Sequence, residues 1–152
     1  MSRLRIEKVG GDATVRDWQY VHNLVIPTHH RSFDEVRERS QYNVLEVAYL
    51  DETLIGCTTV RPPASETPVA TVIARVHPKH RGQGLGAELY ERGLTQARDL
   101  GAEAIATVVL ASNTDGLRFA QQRGFVKIDE YLLPGETIPW LDLRLQADGV
   151  TR

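Results

Sequence analysis

The segment from Ala70 to Leu110 limits the architecture of this chain more than any other. It opens with "ATVIARV" (70–76), a β-rich run that reads as a strand. The glycine-rich stretch "HPKHRGQGLG" (77–86) follows. Leu85, Leu89, Leu94, Ala97 and Leu100 then trace an apolar stripe roughly four residues apart, and Gly101 closes it. That spacing predicts an amphipathic helix of about four turns with a glycine stop. "AEAIATVVL" (102–110) is almost continuously apolar, as a strand covered on both faces should be. A strand, a helix and a second strand in this order form a β-α-β unit, which commits the chain to a mixed α/β fold.

The flanking sequence extends this frame. "RLRIEKV" (3–9) reads as a first strand ending in the turn "GGD". Val15, Trp18, Val21 and Val25 share one helical face, with Thr14 as a candidate cap and Pro27 at or after the end. Ser32 and Glu35 spell a capping box for a short second helix. "NVLEVAYL" (43–50) and "LIGCTTV" (54–60) read as strands joined by the hairpin turn "DET". "RPPASETP" (61–68) reads as loop. After residue 110, residues 114–123 suit a short helix stopped by Gly124, and "FVKIDEYLL" (125–133) and "TIPWLDLRL" (137–145) read as two last strands. The expected order is β-α-α-β-β-β-α-β-α-β-β, in one domain over residues 1–152 with a flexible tail from about 146.

Composition narrows the classes of function. The net charge is −2, so no global basic field draws in nucleic acid or an anionic membrane. No apolar run approaches the ~20 residues of a membrane span, and "MSRLRIEKVGG" lacks the apolar core of a signal peptide. Cys57 is the only cysteine, so no intrachain disulfide is possible. These features lead us to expect a cytoplasmic protein.

The glycine loop carries the chemistry. Between a strand and a helix, glycines let the backbone turn tightly and aim several N–H groups at one spot. The helix dipole adds about half a positive charge there, which makes an anion site. A nucleotide P-loop needs a lysine and a serine or threonine after its last glycine, but Ala87 and Glu88 stand there. A dinucleotide fingerprint needs G-x-G-x-x-G, whereas Gly82 starts G-Q-G-L-G-A. The spelling that remains is R-x-x-G-x-G, met by Arg81, Gly84 and Gly86, with Val76 and Pro78 ahead of it.

This signature resembles the pyrophosphate-binding loop of the GNAT superfamily, the N-acyltransferases that use acetyl-CoA. The resemblance covers most of the chain: two helices after a first strand, three antiparallel strands, the signature, a further strand, a short helix after Asn113, and "RGF" at 123–125. It implies a mostly antiparallel central sheet of six or seven strands flanked by about four helices. Acyl-CoA would lie between a splayed fourth and fifth strand. The backbone of Ala74, Arg75 and Val76 would pair with the pantetheine arm, with their side chains mattering less, and one of these N–H groups would polarise the thioester carbonyl. Arg81, Gly82, Gln83, Gly84, Leu85, Gly86 and Ala87 would cradle the pyrophosphate, and Asn113 would reach the pantetheine region or cap its helix.

The implied reaction is attack of a neutral primary amine on the thioester, helped by a base because a lysine-like ammonium has a pKa near 10.4. Many members of the superfamily carry a tyrosine seven residues after the asparagine, where it protonates the leaving thiolate; here that position is Ala120. Tyr131 and Tyr90 are the nearby alternatives, with water as a third. Glu46, on a central strand, and Glu66, in the loop before the fourth strand, are candidate bases. His29 and His30 lie where the superfamily closes over its acceptor, and so are candidate substrate contacts. His77 and His80 form H-x-x-H without a completing ligand, so no metal is expected. His22, Cys57, Trp18 and Trp140 read as packing residues. The acceptor would be a small-molecule or protein amine, a homodimer is possible, and the rival reading is an idle acyl-CoA-binding module.

Overall fold

The structure, a computed structural model, describes residues 4–146. Apart from Gln146, the expected tail lies outside the described residues, as does Arg3 of the expected first strand. The elements are β1 (Leu4–Lys8), α1 (Asp12–Val25), α2 (Phe33–Arg39), β2 (Val44–Leu50), β3 (Thr53–Arg61), β4 (Val69–Val76), a 3-10 turn (Pro78–His80), α3 (Leu85–Asp99), β5 (Ala104–Leu110), α4 (Thr114–Gln122), β6 (Phe125–Tyr131) and β7 (Trp140–Leu145). Their order is the one the sequence predicts. The seven strands form one sheet in the order β1-β2-β3-β4-β5-β7-β6. Every neighbouring pair is antiparallel except β4 and β5.

Each face of the sheet buries a helical stripe. On one face Val15, Trp18 and Val21 of α1 and Val36 of α2 pack on Leu45, Val47 and Cys57. On the other, Leu85 and Leu89 of α3 pack on Ala48 and Ile55, while Tyr90, Leu94 and Ala97 pack on Val60, Val72 and Ile105. The helix α3 lies tight against β4: a Cβ on Gly93 would stand 2.6 Å from Val72 Cγ1.

Local signals account for most of the ends. The capping box of α2 is complete, Ser32 Oγ accepting from Glu35 N–H at 3.1 Å and Glu35 Oε1 from Ser32 N–H at 2.8 Å. Two expectations need correction. The N-cap of α1 is Gly11, not Thr14. Thr14 sits inside the first turn, where its hydroxyl accepts from Gly10 N–H and donates to the Gly11 carbonyl. The two last strands are shorter than expected, because Pro134, the left-handed Gly135 and Pro139 interrupt the ladder between them.

The feature that positions the site is a failed pairing. β4 and β5 pair only at Val69–Ala104, Ala70–Ile105 and Thr71–Ala106. Beyond these, β4 follows β3 and β5 follows β7, so residues 72–76 and 107–110 diverge. Among the described residues no helix is long and apolar enough to cross a membrane.

Candidate functional site

The divergence of β4 from β5 opens a cleft of about 470 Å³. Val72 to Val76 form one wall and Thr107 to Leu110 the other. The backbone groups of β4 that turn toward the gap have no β5 partner there, so they are available to an extended ligand.

The glycine loop closes one end of the cleft. Gly82 and Gly84 adopt φ of +80° and +81°, a left-handed backbone that glycine enters without strain. Gly84 is the N-cap of α3, and Glu88 N–H donates to its carbonyl at 3.2 Å. The N–H groups ahead of Glu88 have no carbonyl one turn back, so they face the cleft mouth as donors. Arg81, Gly82, Gly84, Leu85, Gly86 and Ala87 all line the cleft, as do Ala74, Arg75, Val76 and Asn113. Gln83 does not; it is exposed outside it. Arg81 is tied down from two sides, Nε donating to the Val76 carbonyl and Nη1 to Asp115 Oδ2, both at 3.1 Å. Asn113 caps α4, its Oδ1 accepting from Gly116 N–H at 3.1 Å. Ala120 is buried and lines the cleft without a hydroxyl to offer.

A second, smaller pocket of about 110 Å³ lies on the α1 side of the sheet. It shares Ile73, Arg75 and Val108 with the cleft, so the two spaces meet at the splay. His22 and His29 both line it, with different chemistry. His22 Nε2 bonds the His29 carbonyl at 2.9 Å and the ring stacks on Trp18. Burial, then the Arg75 charge, pushes the His22 pKa down to about 3, so the ring stays neutral. His29 holds a carboxylate instead: Nδ1 lies 3.1 Å from Glu136 Oε2, with Trp140 edge-on to the ring. Tyr131 also lines this pocket, and burial raises the pKa of its phenol while Arg61 opposes the shift.

The pocket wall includes four arginines, Arg31, Arg39, Arg61 and Arg75. The sequence marks none of the first three for a role, and in the fourth it points to the backbone rather than the side chain. They come from α2, its preceding loop, β3 and β4, and no motif spacing links them. Burial lowers the pKa of Arg31, Arg61 and Arg75, and neighbouring guanidiniums lower each further. A guanidinium nevertheless keeps its charge in proteins, so the wall is cationic.

Other expected residues lie elsewhere. Glu46 lines neither space, because strand alternation turns it toward α3. There Arg92 Nε donates to its Oε1 at 2.8 Å, and Arg92 Nη2 and Gln96 Nε2 donate to its Oε2 at 3.1 Å. Its carboxylate is thus engaged by three donors and lies outside the lining of both spaces. His30 is exposed and lines neither space, since the chain turns it outward from the pocket His29 enters. Glu66 is exposed in the turn bridged by Ala64 and Thr67. Tyr90 lines the cleft but is wedged edge-on between Phe119 and Phe125. Burial raises the Cys57 thiol to about 12, so it is inert.

Comparison with known proteins agrees with this geometry. The family model described as "Acetyltransferase (GNAT) family" matches residues 13–125. An amino-acid acetyltransferase of Escherichia fergusonii is 27% identical over 126 residues, 80% of this chain and 28% of that protein. The chain thus spans well under a third of that relative. The L-amino acid N-acyltransferase MnaT of Escherichia coli is 36% identical over 80 residues, 50% of this chain and 46% of that one. Among solved structures, yncA from Salmonella typhimurium, determined with its cofactor acetyl-CoA, superposes with a TM-score of 0.73 at 17% identity, covering 95% of this chain and 94% of that one.

Proposed function

This chain belongs to the GNAT acetyltransferase family, and from that premise we propose that it transfers an acyl group, in the first instance acetyl from acetyl-CoA, to a primary amine. The observation that carries the reading is the junction of two spaces at the β4–β5 splay. One is larger and is lined by the start of α3; the other is small, carries the arginines and is lined by His29 and Tyr131.

The residues present fit an acyl-CoA. The β4 edge between Val72 and Val76, paired with β3 but left without a β5 partner, suits an amide-bearing arm, and the α3 N-terminus with Gly82 and Gly84 suits a pyrophosphate. When bound, the cofactor supplies an activated thioester. The chain then has three tasks. A β4 N–H near the splay steadies charge developing on the acyl oxygen. His29, oriented by Glu136, takes a proton from the incoming ammonium, which the neighbouring arginines already disfavour in its charged form. Tyr131 replaces the hydroxyl that Ala120 lacks and returns a proton to the leaving sulfur. The likeness to MnaT, an N-acyltransferase by name, supports transfer to nitrogen.

Ala120 also supports a second reading, an acyl-CoA-binding module that does not turn over. Thiol release from acetyl-CoA in the presence of an amine panel separates the two. We expect acceptor-dependent release, and His29→Ala should lower kcat by ~10²- to 10⁴-fold while calorimetry shows acetyl-CoA affinity unchanged. Tight acetyl-CoA binding with no release for any amine would establish the idle module.

A further inference from the structure

The small pocket has a charge pattern that an arbitrary amine does not explain. Four guanidinium side chains line about 110 Å³, and among the described residues no aspartate or glutamate lines it. Arg31 has a partial partner, Glu35 Oε2 at 3.7 Å. Glu136 is engaged with His29. Asp142 acts on Arg61 from outside the lining, and less strongly than Arg39 does. Arg75 is only 9% exposed, and its guanidinium makes no hydrogen bond or ion pair to any described residue. Its electrostatic neighbours are the inert Cys57 thiol, two more arginines and the neutral His22 ring, none of them an anion.

Arg75 is buried and Arg31, Arg39 and Arg61 are partly buried, and cations drawn together away from water with few counter-ions are unfavourable. Such a cluster persists in a folded chain when it has a task, and the task of planar guanidinium forks is to grip oxyanions. They bind carboxylate and phosphate in paired, parallel hydrogen bonds. The same wall repels a second positive charge, so a polyamine is the acceptor it fits worst. The volume also discriminates, since it admits a small group rather than a folded surface.

Resting on the acyl-transfer reading above, we infer that the acceptor is a small primary amine bearing its own oxyanion, of the α-amino acid class, and that Arg75, Arg61 and Arg39 hold that oxyanion at the mouth of the β4–β5 splay. The amine then lies toward Val108 and His29, the oxyanion toward β3 and α2. Arg61 and Arg39 line the small pocket alone, so their removal leaves the cofactor cleft intact. Arg75 lines both spaces and is the poorer probe.

The test is calorimetric titration of the CoA-saturated protein with a panel of α-amino acids, each beside its own carboxamide, together with spermidine and a short acidic peptide. Thiol release with acetyl-CoA is measured on the same panel. At least one free acid should bind ~10- to 100-fold more tightly than its amide, the worth of a charge-assisted paired contact. Arg61→Gln and Arg39→Gln should each erase most of that preference while CoA affinity stays unchanged. Amides binding as well as acids across the panel, spermidine or the peptide binding best, or both variants leaving the preference intact would overturn the inference. An acid that binds selectively yet releases no thiol would leave the oxyanion pocket standing and remove the transfer reaction instead. Turnover of spermidine alone would do the reverse.

Discussion

Glu46 shows how far a single residue can be read and where reading stops. A carboxylate on a central strand in a chain of this kind is a natural candidate base. The structure gives it three donors from α3 and leaves it 5% exposed. Glu46→Gln keeps the shape but halves the acceptor capacity facing Arg92 and Gln96. Because Arg92 is 46% exposed, water takes over part of its solvation. The expected loss is therefore about 1–2 kcal/mol in a urea unfolding curve, with kcat per folded molecule unchanged. A fall in kcat of ~10²-fold or more, the signature of a lost base, would restore Glu46 to the site. The sequence contains no trace of this pairing, since Arg92 and Gln96 lie 46 and 50 residues away. Gly84 is the opposite case. Its left-handed φ and its place at the N-cap follow from a spelling confined to six residues.

At the scale of elements the same division holds. Strands and helices were legible because each carries its own period, and the β-α-β unit at 70–110 emerged in its predicted order. The ends of β6 and β7 were less legible, because apolar residues at 132, 133 and 138 look like strand until Pro134 and Pro139 beside them are placed in space. What no local pattern shows is how closely an element sits on its neighbour. α3 carries Gly93 in mid-helix, a position where alanine would improve helix propensity by about 1 kcal/mol. The 2.6 Å approach to Val72 Cγ1 reverses that expectation. Gly93→Ala should destabilise the protein by about 1–3 kcal/mol through overpacking. In a Val72→Ala background, where the clashing methyl is gone, the same change should cost little or become favourable. Equal penalties in the two backgrounds, by urea titration, would show that α3 is free to move away from β4. The contact bears on function because α3 carries the N–H donors at its start, so its depth on the sheet fixes where they point.

At the scale of the whole molecule, positive charge gathers around one pocket from segments spread over residues 31–75, and it exerts a force on the fold as well as on a ligand. His22 registers that force. It is 4% exposed, stacked on Trp18, and bonded through Nε2 to the His29 carbonyl. Its Nδ1 is buried with no partner among the described residues. Protonation there would add a further cation beside Arg75, and burial and that charge together hold the pKa near 3 against an ordinary 6.5. The unfolded chain therefore binds a proton that the native state refuses between those two values. Stability from this group is complete above pH 6.5 and declines as the pH falls toward 3. At pH 5 the loss is about 2 kcal/mol by this linkage, a drop of roughly 4–8 °C in Tm for a chain of this length. His22→Gln retains an N–H donor for the His29 carbonyl but does not titrate. It should be less stable than the parent at pH 7 and should lose less on acidification. Carboxylates elsewhere contribute to both curves alike, so the difference between them between pH 7 and pH 4.5 isolates His22. Parallel curves would mean that the imidazole already accepts its proton in the native state, and that the arginine wall acts on its surroundings far more weakly than its burial demands.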